Sequence, residues 1–318
     1  MTRRYTIQTP RKHLAKQPEN KLARRGSKIL QGFACSCALA LLIGCYKSPP
    51  PVKNLSEAHV KFEQLLKTDF SQNPVVIRLP NTLYIYVPVS FDILKTQASV
   101  ADFFSLTRQE KKRQINFAET VFEEPGLFHI SYDITEVNSY PKSPGYTSSY
   151  TDEFSSLHNN LLSALSRSFS DVVEGQGLMD FVTLMIVDIR NGIAIKNIFH
   201  FNDLKLVMAG SLPQDEYVLR YMTELLGSPK FIDNPTARGL NPEDITWREF
   251  IARQITYRIN FKYGRSSFPP MENDVKEIIR IARETLRAYN FDDFRNVQME
   301  NLATKEVLLF DKSQLESF

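Results

Sequence analysis

The chain has 318 residues, with 39 lysines and arginines against 36 aspartates and glutamates, and only three cysteines. Apolar residues form 42% of it, and its ordinary contents of charged (24%) and aromatic (11%) residues exclude a wholly disordered, collagen-like or coiled-coil protein. The formal charge of +3 is unevenly distributed. Residues 1–44 hold nine basic residues and one acidic residue, so the rest of the chain has 30 basic and 35 acidic residues and a formal charge of −5.

The amino-terminal segment changes composition abruptly after residue 28. The residues before that point are polar and basic, whereas residues 29–43 are apolar or small apart from Gln31. A helix of that length spans about 22 Å, which is short of the roughly 30 Å hydrocarbon core of a bilayer. A basic stretch followed by a short apolar one is typical of a signal peptide rather than of a transmembrane span.

This apolar segment ends in Leu42-Ile43-Gly44-Cys45, a branched apolar residue, a tolerant position, a small residue and a cysteine. The motif resembles the lipobox of bacterial lipoproteins. The resemblance implies cleavage after Gly44, attachment of lipid to the Cys45 thiol, and acylation (palmitate, for example) of the new amino terminus. Several acyl chains on one residue anchor a protein stably. Tyr46 follows in place of Asp, which by the same resemblance favours the outer membrane over the inner one.

Two other interpretations of the segment stay open. It would also fit a cytoplasmic protein whose first apolar helix packs in the core, or an uncleaved anchor, although neither explains the position of the cysteine. After cleavage at Gly44 the chain keeps no cysteine except Cys45, so Cys35 and Cys37 have no redox or metal role. We therefore expect a signal peptide at 1–44, a proline-rich tether at 45–54, and a single globular domain at 55–318. The alternative is a division of that domain near 174–177.

The first half of the folded region mixes helical and strand periodicities. In chain order it predicts a helix at 54–68, strands at 75–79 and 83–89, a weaker helix at 103–113, a hairpin of strands 115–122 and 127–137, a loop at 138–150, and a helix from Phe154 to Val172.

The second half begins with the strongest local signal, at 181–201, where two apolar runs flank Arg190-Asn191-Gly192. Because Asn-Gly favours positive φ at both central positions of a turn, we predict a hairpin with a type I′ turn. Capping boxes that begin at Ser211 and Thr246 predict two helices, the first carrying apolar residues as far as Leu225. A helix at 270–289 and strands at 297–302 and 306–310 follow.

The order of these elements predicts the fold class. Strands arrive mostly in hairpin-like pairs, with the helices collected between them. This favours an α+β fold, an antiparallel sheet built from hairpins with several amphipathic helices packed on it.

Sequence patterns of common enzymes and cofactor sites are missing after residue 45. There is no GxSxG, HExxH, Walker-type, GxGxxG or CxxC pattern, so we expect no cofactor and no thiolate metal site. Four histidines remain, His59, His129, His158 and His200. The two in predicted strands, His129 and His200, would hold a metal if they met across a sheet beside Asp133, Asp188 or Asp203, but satisfied or half-exposed histidines are the better interpretation. A serine–histidine–aspartate triad is a further alternative.

The other charged residues are better explained by structural roles than by catalysis or ligand binding. Asp188 and Asp203 would make an acid–base pair at one sheet edge, but turn formation by Asp188 and capping of a helix at 204–207 by Asp203 fit better. The basic run 111–113 would suit nucleic acid or anionic lipid. So would a helical stripe of four residues, Lys276, Arg280, Arg283 and Arg287. With a charge of −5 we expect no nucleic acid, and a solvated helix face explains the stripe.

Tyrosines are the most suggestive recognition residues. The 138–150 loop contains Tyr140, Tyr146 and Tyr150. Two further tyrosines, Tyr84 and Tyr86, share one face of a strand, and we expect all five to be exposed. The loop is a candidate partner-binding loop, with a simple connector as the alternative. These observations favour a lipid-anchored, non-catalytic lipoprotein of the cell envelope, facing the periplasm, that contacts protein partners. The alternatives are an anchored hydrolase of an envelope polymer or ester, and a periplasmic small-ligand binding module.

Overall fold

The computed structural model describes residues 55–69, 73–95, 117–134, 149–169, 179–263 and 274–317. Its helices are α1 (Leu55–Asp69), α2 (Asp152–Phe169), α3 (Phe201–Met208), α4 (Gln214–Arg220), α5 (Trp247–Tyr263), α6 (Asp274–Ala288) and α7 (Lys312–Ser317), with a 3₁₀ turn at Pro229–Phe231. Its strands are β1 (Val75–Arg78), β2 (Thr82–Val89), β3 (Leu94–Lys95), β4 (Phe117–Glu123), β5 (Leu127–Asp133), β6 (Ser149–Tyr150), β7 (Phe181–Asp188), β8 (Ile193–His200), β9 (Met222–Gly227), β10 (Asn296–Asn301) and β11 (Val307–Asp311).

Two sheets organise the chain. The large sheet has the strand order β1-β2-β7-β8-β9, and the small sheet has the order β11-β10-β5-β4; β3 and β6 form a separate two-stranded ladder. The fold is therefore α+β, as predicted. The sheets are mixed rather than purely antiparallel, because β2 runs parallel to β7 and β10 runs parallel to β5. Each parallel pair joins strands far apart in the chain, and local hydrophobic patterns carry no information about such pairing.

The large sheet is covered on both faces. Its two central strands, β2 and β7, are buried at every position, which explains their nearly continuous apolar sequences. On one face, Ile85 and Leu184 pack with α1 and α2, where the rings of Phe62 and Phe169 lie 5.9 Å apart. On the other face, Tyr84 and Tyr86 pack with residues of the segment after β9. Both tyrosines are almost fully buried, so the expectation that they are exposed is wrong.

The small sheet packs one face against α5 and α6. Side chains from these helices and from alternate positions of the strands, such as Ile130 and Met299, form a second hydrophobic cluster. This cluster also includes Phe181 of the large sheet, whose ring stacks on Phe250 of α5 at a centroid distance of 4.5 Å. Because α5 contacts both sheets, its buried residues are spread around the helix instead of forming a single apolar stripe, and they include Gln254, Thr256 and Arg258.

The predicted capping box at the start of α5 is confirmed. The backbone N–H of Thr246 donates to Glu249 Oε2 at 2.9 Å, and the N–H of Glu249 donates to Thr246 Oγ1 at 3.3 Å. The capping box at Ser211 is wrong, because α4 begins only after Pro213 and no side chain caps it. The predicted helix to Leu225 is also too long. The chain leaves the helix after Arg220 and forms β9, which pairs antiparallel with β8.

The β7–β8 hairpin is confirmed, but its turn differs from the prediction. Asp188 pairs with Ile193, so four residues form the loop and only Gly192 among them has a positive φ, +69°. The carboxylate of Asp188 organises this loop, because its Oδ1 accepts the backbone N–H groups of Arg190 and Asn191 at 3.0 and 3.1 Å. A Cβ added at Gly192 would lie 2.9 Å from a backbone carbonyl oxygen, that of Ser228. Glycine is thus required there by both conformation and space.

Candidate functional site

Several predicted site residues lie outside the described residues. These are the lipidation site with its cleavage position, Gly44 and Cys45, the loop residues Tyr140 and Tyr146, the helix at 103–113 with its basic run, and the division near 174–177. Tyr150 is described. It forms β6 opposite Leu94, and its ring packs on Phe154 with a centroid distance of 4.4 Å. Burial raises its pKa, so this ring belongs to the packed structure and is not an exposed loop tyrosine.

The four histidines are dispersed over the fold, and the described residues contain no cluster of three or more metal-ligating side chains. His129 is on β5 of the small sheet and His200 ends β8 of the large sheet, so they do not meet across one sheet. His158 lies on α2, and its Nε2 is 2.7 Å from the Tyr221 hydroxyl. Burial lowers the pKa of His158 to about 4, against a smaller opposing effect of a hydrogen bond with Asn159.

The two aspartates weighed as an acid–base pair lie at opposite ends of β8. Asp188 forms the turn before this strand, as predicted, and Asp203 is in α3 after it. Eight residues of strand separate the two by roughly 25 Å, which excludes a shared proton. Asp203 does not cap α3. Its Oδ1 accepts a hydrogen bond from Arg220 at 2.9 Å and its Oδ2 accepts one from the Tyr289 hydroxyl at 3.0 Å.

Asp203 belongs to a partly buried ionic cluster between α3, α4 and α5, made of two acids and two bases. Glu216 Oε1 accepts hydrogen bonds from Arg220 and Arg258, each at 2.8 Å. Burial raises the pKa of Glu216, but these two arginines outweigh it and bring the pKa below its ordinary value. Because Asp203 has both oxygens engaged by fixed donors, it is poorly placed to act as a general base. The cluster therefore favours a structural role.

The face of the small sheet that points away from α5 and α6 is the best candidate for a functional surface, and we call it the open face. Strand registers arrange its residues in three rows from β11 to β4. The central row is Leu309, Gln298, His129 and Val121, and the flanking rows are Asp311, Asn296, Leu127, Glu123 and Val307, Glu300, Ser131, Glu119.

Apolar side chains lie exposed at both sides of the open face. Leu309 and Val307 on β11 retain 57% and 53% of their exposure, and Val121 on β4 retains 49%. Scattered apolar residues are ordinary on a protein surface. Leu309 and Val307 are neighbours on the open side of β11, and such an exposed apolar pair is a candidate for contact with another molecule.

The charge of the open face is wholly acidic. Four carboxylates lie in the three rows, those of Glu119, Glu123, Glu300 and Asp311, and a fifth, that of Asp133, follows Ser131 on the same side of β5. No described strand position on this face holds lysine or arginine. Within the described part of the chain none of them forms an ion pair with lysine or arginine. Near the centre, His129 Nδ1 lies 3.3 Å from Glu123 and its Nε2 lies 3.3 Å from Glu300.

The two edges of the small sheet differ. At β4, side chains of α5 bond the strand's backbone, because Thr120 N–H donates to Thr256 Oγ1 and Ala118 N–H donates to Asn260 Oδ1, both at 2.7 Å. Asn260 Nδ2 also donates to the Ala118 carbonyl at 2.8 Å. At β11, no described strand pairs with the outer side. Among the described residues, the sheet thus has one edge bonded by a helix and one edge, β11, with no strand paired to its outer side.

The basic stripe of α6 forms a solvated face, as predicted. Arg280 pairs with Glu277 at 2.6 Å and with Glu284 at 2.5 Å, and Arg287 pairs with Glu316 of α7. Two of the four basic residues of the stripe are thus paired with carboxylates on the same surface.

Sequence reasoning missed the open face, although it predicted the strands that form it. The alternation of buried and exposed residues in β4 and β5 was the available signal, since it places Glu119, Val121 and His129 opposite the core. What local patterns could not show is that β10 and β11 join the same sheet and align their own outward residues with these.

No described helix has both the length and the apolar character needed to cross a membrane. Comparison of the chain with protein-family models, with curated proteins and with solved structures finds no match.

Proposed function

We propose that the protein is a lipid-anchored lipoprotein of the cell envelope, held in the outer membrane through Cys45, and that it acts by binding protein partners at its open face. The sequence supports the anchor through the basic and apolar segments that precede Gly44-Cys45. One structural observation carries the binding role. Exposed Leu309, Val307 and Val121 lie on a face with five carboxylates, and no described strand position of that face holds lysine or arginine.

Packing supports this assignment over a purely structural role for the face. Residues on the opposite face, such as Ile130 and Val297, are fully buried, so the small sheet already has its core. Exposed leucine and valine side chains on the outer face add nothing to that core. They stabilise a complex when a partner removes them from water, at about 25 cal/mol per Å² of apolar surface.

Anchoring is tested by the mass of the protein extracted from membranes, compared with a Cys45→Ala variant. We expect a chain that begins at Cys45 with added acyl mass, and loss of both features in the variant. Membrane fractions separated by density should contain the wild type with the outer membrane. A chain of unprocessed mass that begins near Met1 would refute the anchor.

Binding at the open face is tested by photo-crosslinking in the cells that make the protein. A photoreactive residue replaces Leu309, and a matched control carries it at Val60 of α1, which is 49% exposed. We expect a protein adduct from position 309 that is lost when Glu119 and Glu300 are both changed to Lys, and none of that mass from position 60. Equal adducts from both positions, or an adduct that survives the charge reversal, would refute the face as the binding surface.

A further inference from the structure

We infer that the open face and the outer side of β11 together bind an extended peptide segment rich in lysine or arginine, which adds to the small sheet as a further strand. The inference rests on the proposed function and names the class of partner that this surface fits. It has two parts, a backbone register along β11 and a pattern of side chains on the added strand.

The backbone part follows from the difference between the two edges. An edge strand presents a row of N–H and C=O groups that a partner strand can bond. At β4 the groups of Ala118 and Thr120 are already bonded by α5, which closes that edge. β11 is five residues long, has β10 on one side, and has no described strand on the other. Strand addition to this sheet is therefore directed to β11.

The side-chain part follows from what lies beside an added strand on each face. On the core side its neighbours are Leu308 and Phe310, which pack against the second hydrophobic cluster, so apolar residues fit there. On the open side its neighbours are Val307, Leu309 and Asp311. A lysine there lays its apolar stem over Leu309 and Val307 and brings its ammonium group toward the nearest carboxylates, those of Asp311 on β11 and Glu300 on β10. A peptide in which apolar and basic residues alternate therefore matches the core side with its apolar residues and the open side with its basic residues.

Charge also discriminates against a second copy of this chain as the occupant. Two open faces brought together would oppose five carboxylates to five, and like charges in contact are repulsive. The dimensions point the same way. Four strands spaced by about 4.8 Å and three rows of side chains make a surface of a few hundred Å², which suits a peptide rather than a stable interface of about 800 Å² per partner.

The test uses the full chain extracted from membranes in a non-ionic detergent. The probe is a fluorescent ten-residue peptide in which valine and lysine alternate, and the control probe has glutamate in place of each lysine. Binding is followed by fluorescence anisotropy at low and at moderate salt. The variants are Val307→Lys with Leu309→Lys, which add like charge at exposed positions, and Glu300→Gln with Asp311→Asn, which neutralise the two carboxylates nearest to an added strand. Val60→Lys is the matched control on α1.

We expect the lysine peptide to bind more than tenfold tighter than the glutamate peptide, and to weaken several-fold between 20 and 150 mM salt, as screening of exposed charges requires. The double lysine variant should lose at least tenfold in affinity, the variant with Glu300→Gln and Asp311→Asn about threefold, and Val60→Lys should bind as the wild type does. Hydrogen exchange of the β11 amides should slow on binding.

Three results would overturn the inference: equal binding of both peptides, loss of binding in Val60→Lys as large as in the β11 variant, or binding that leaves exchange at 307–311 unchanged. A dimer of the chain that the β11 variant abolishes would assign the edge to a second copy instead. The mass of the extracted protein separates the two proposals. A chain without lipid that binds the lysine peptide refutes only the anchor, and a lipidated chain that does not bind it refutes only this inference.

Discussion

Acidification should weaken the fold through His158. The side chain lies on α2, its Nε2 is 2.7 Å from the Tyr221 hydroxyl, and its ring stacks on Phe154 at 5.7 Å. Burial lowers its pKa in the folded protein to about 4, from an ordinary value near 6.5. The unfolded chain therefore binds a proton in a range of pH where the folded protein does not. Stability from this histidine is fully present above pH 6.5 and is lost as the pH falls from about 6.5 to about 4.

The size of the effect follows from the two pKa values. Between pH 7 and pH 5 a single group with these values changes the free energy of unfolding by about 2 kcal/mol. The ring is partly accessible to solvent, which reduces the penalty of charging it. We therefore expect His158 to account for about 1 to 2 kcal/mol of destabilisation at pH 5.

The measurement is urea unfolding at pH 7 and at pH 5 of the wild type and of His158→Gln, a variant that is neutral at both values. Trp247 is the sole tryptophan and lies in the fold, so its fluorescence reports the transition. When the pH is lowered from 7 to 5, the free energy of unfolding of the wild type should fall by about 1 to 2 kcal/mol more than that of the variant. An equal loss in the two proteins would refute the assignment of the pH dependence to His158.

Three further predictions concern stability and are checked by the same urea titrations at pH 7. Gly192→Ala should lower the free energy of unfolding by more than about 2 kcal/mol, because the new Cβ lies 2.9 Å from a carbonyl oxygen. Gly239 has a similar φ of +72° with no atom within 4 Å of an added Cβ, so Gly239→Ala should cost about 1 kcal/mol. Equal costs would show that space at the hairpin loop is not limiting. Asp203→Asn should lower the free energy of unfolding by about 2 kcal/mol, because Arg220 loses one charged partner. The double variant Asp203→Asn with Arg220→Met should cost less than the sum of the two single changes. Strict additivity would contradict a coupled ionic cluster. Thr246→Ala should cost about 1 kcal/mol through loss of the capping box, and no change would show that α5 is held by packing alone.

Elements with local signals were predictable from the sequence. The β7–β8 hairpin, the α5 capping box and the alternating strands β4 and β5 all match local patterns. The turn type at Gly192 was wrong because Asp188 bonds two backbone N–H groups and widens the loop, an alternative that Asn-Gly alone does not exclude.

Elements whose secondary structure or position depends on tertiary contacts could not be predicted from the sequence. Apolar residues of 217–225 fit a helix by spacing, but the free side of β8 is available to this segment, and pairing there outweighs helix propensity. The open face has the same origin. Its residues come from β4 and β5 early in the chain and from β10 and β11 at its end, and only the parallel pairing of β5 with β10 places Glu123 and Glu300 on the two sides of His129.

The closure of β4 by Thr256 and Asn260 has a consequence for assembly. Molecules that join edge to edge into a filament need two free edges on the same sheet, one to give and one to receive. In the small sheet, side chains of α5 already bond the β4 edge, so among the described strands only β11 remains for a further strand. Edge-to-edge pairing through the described strands of this sheet therefore stops after one added strand and cannot propagate into a fibre.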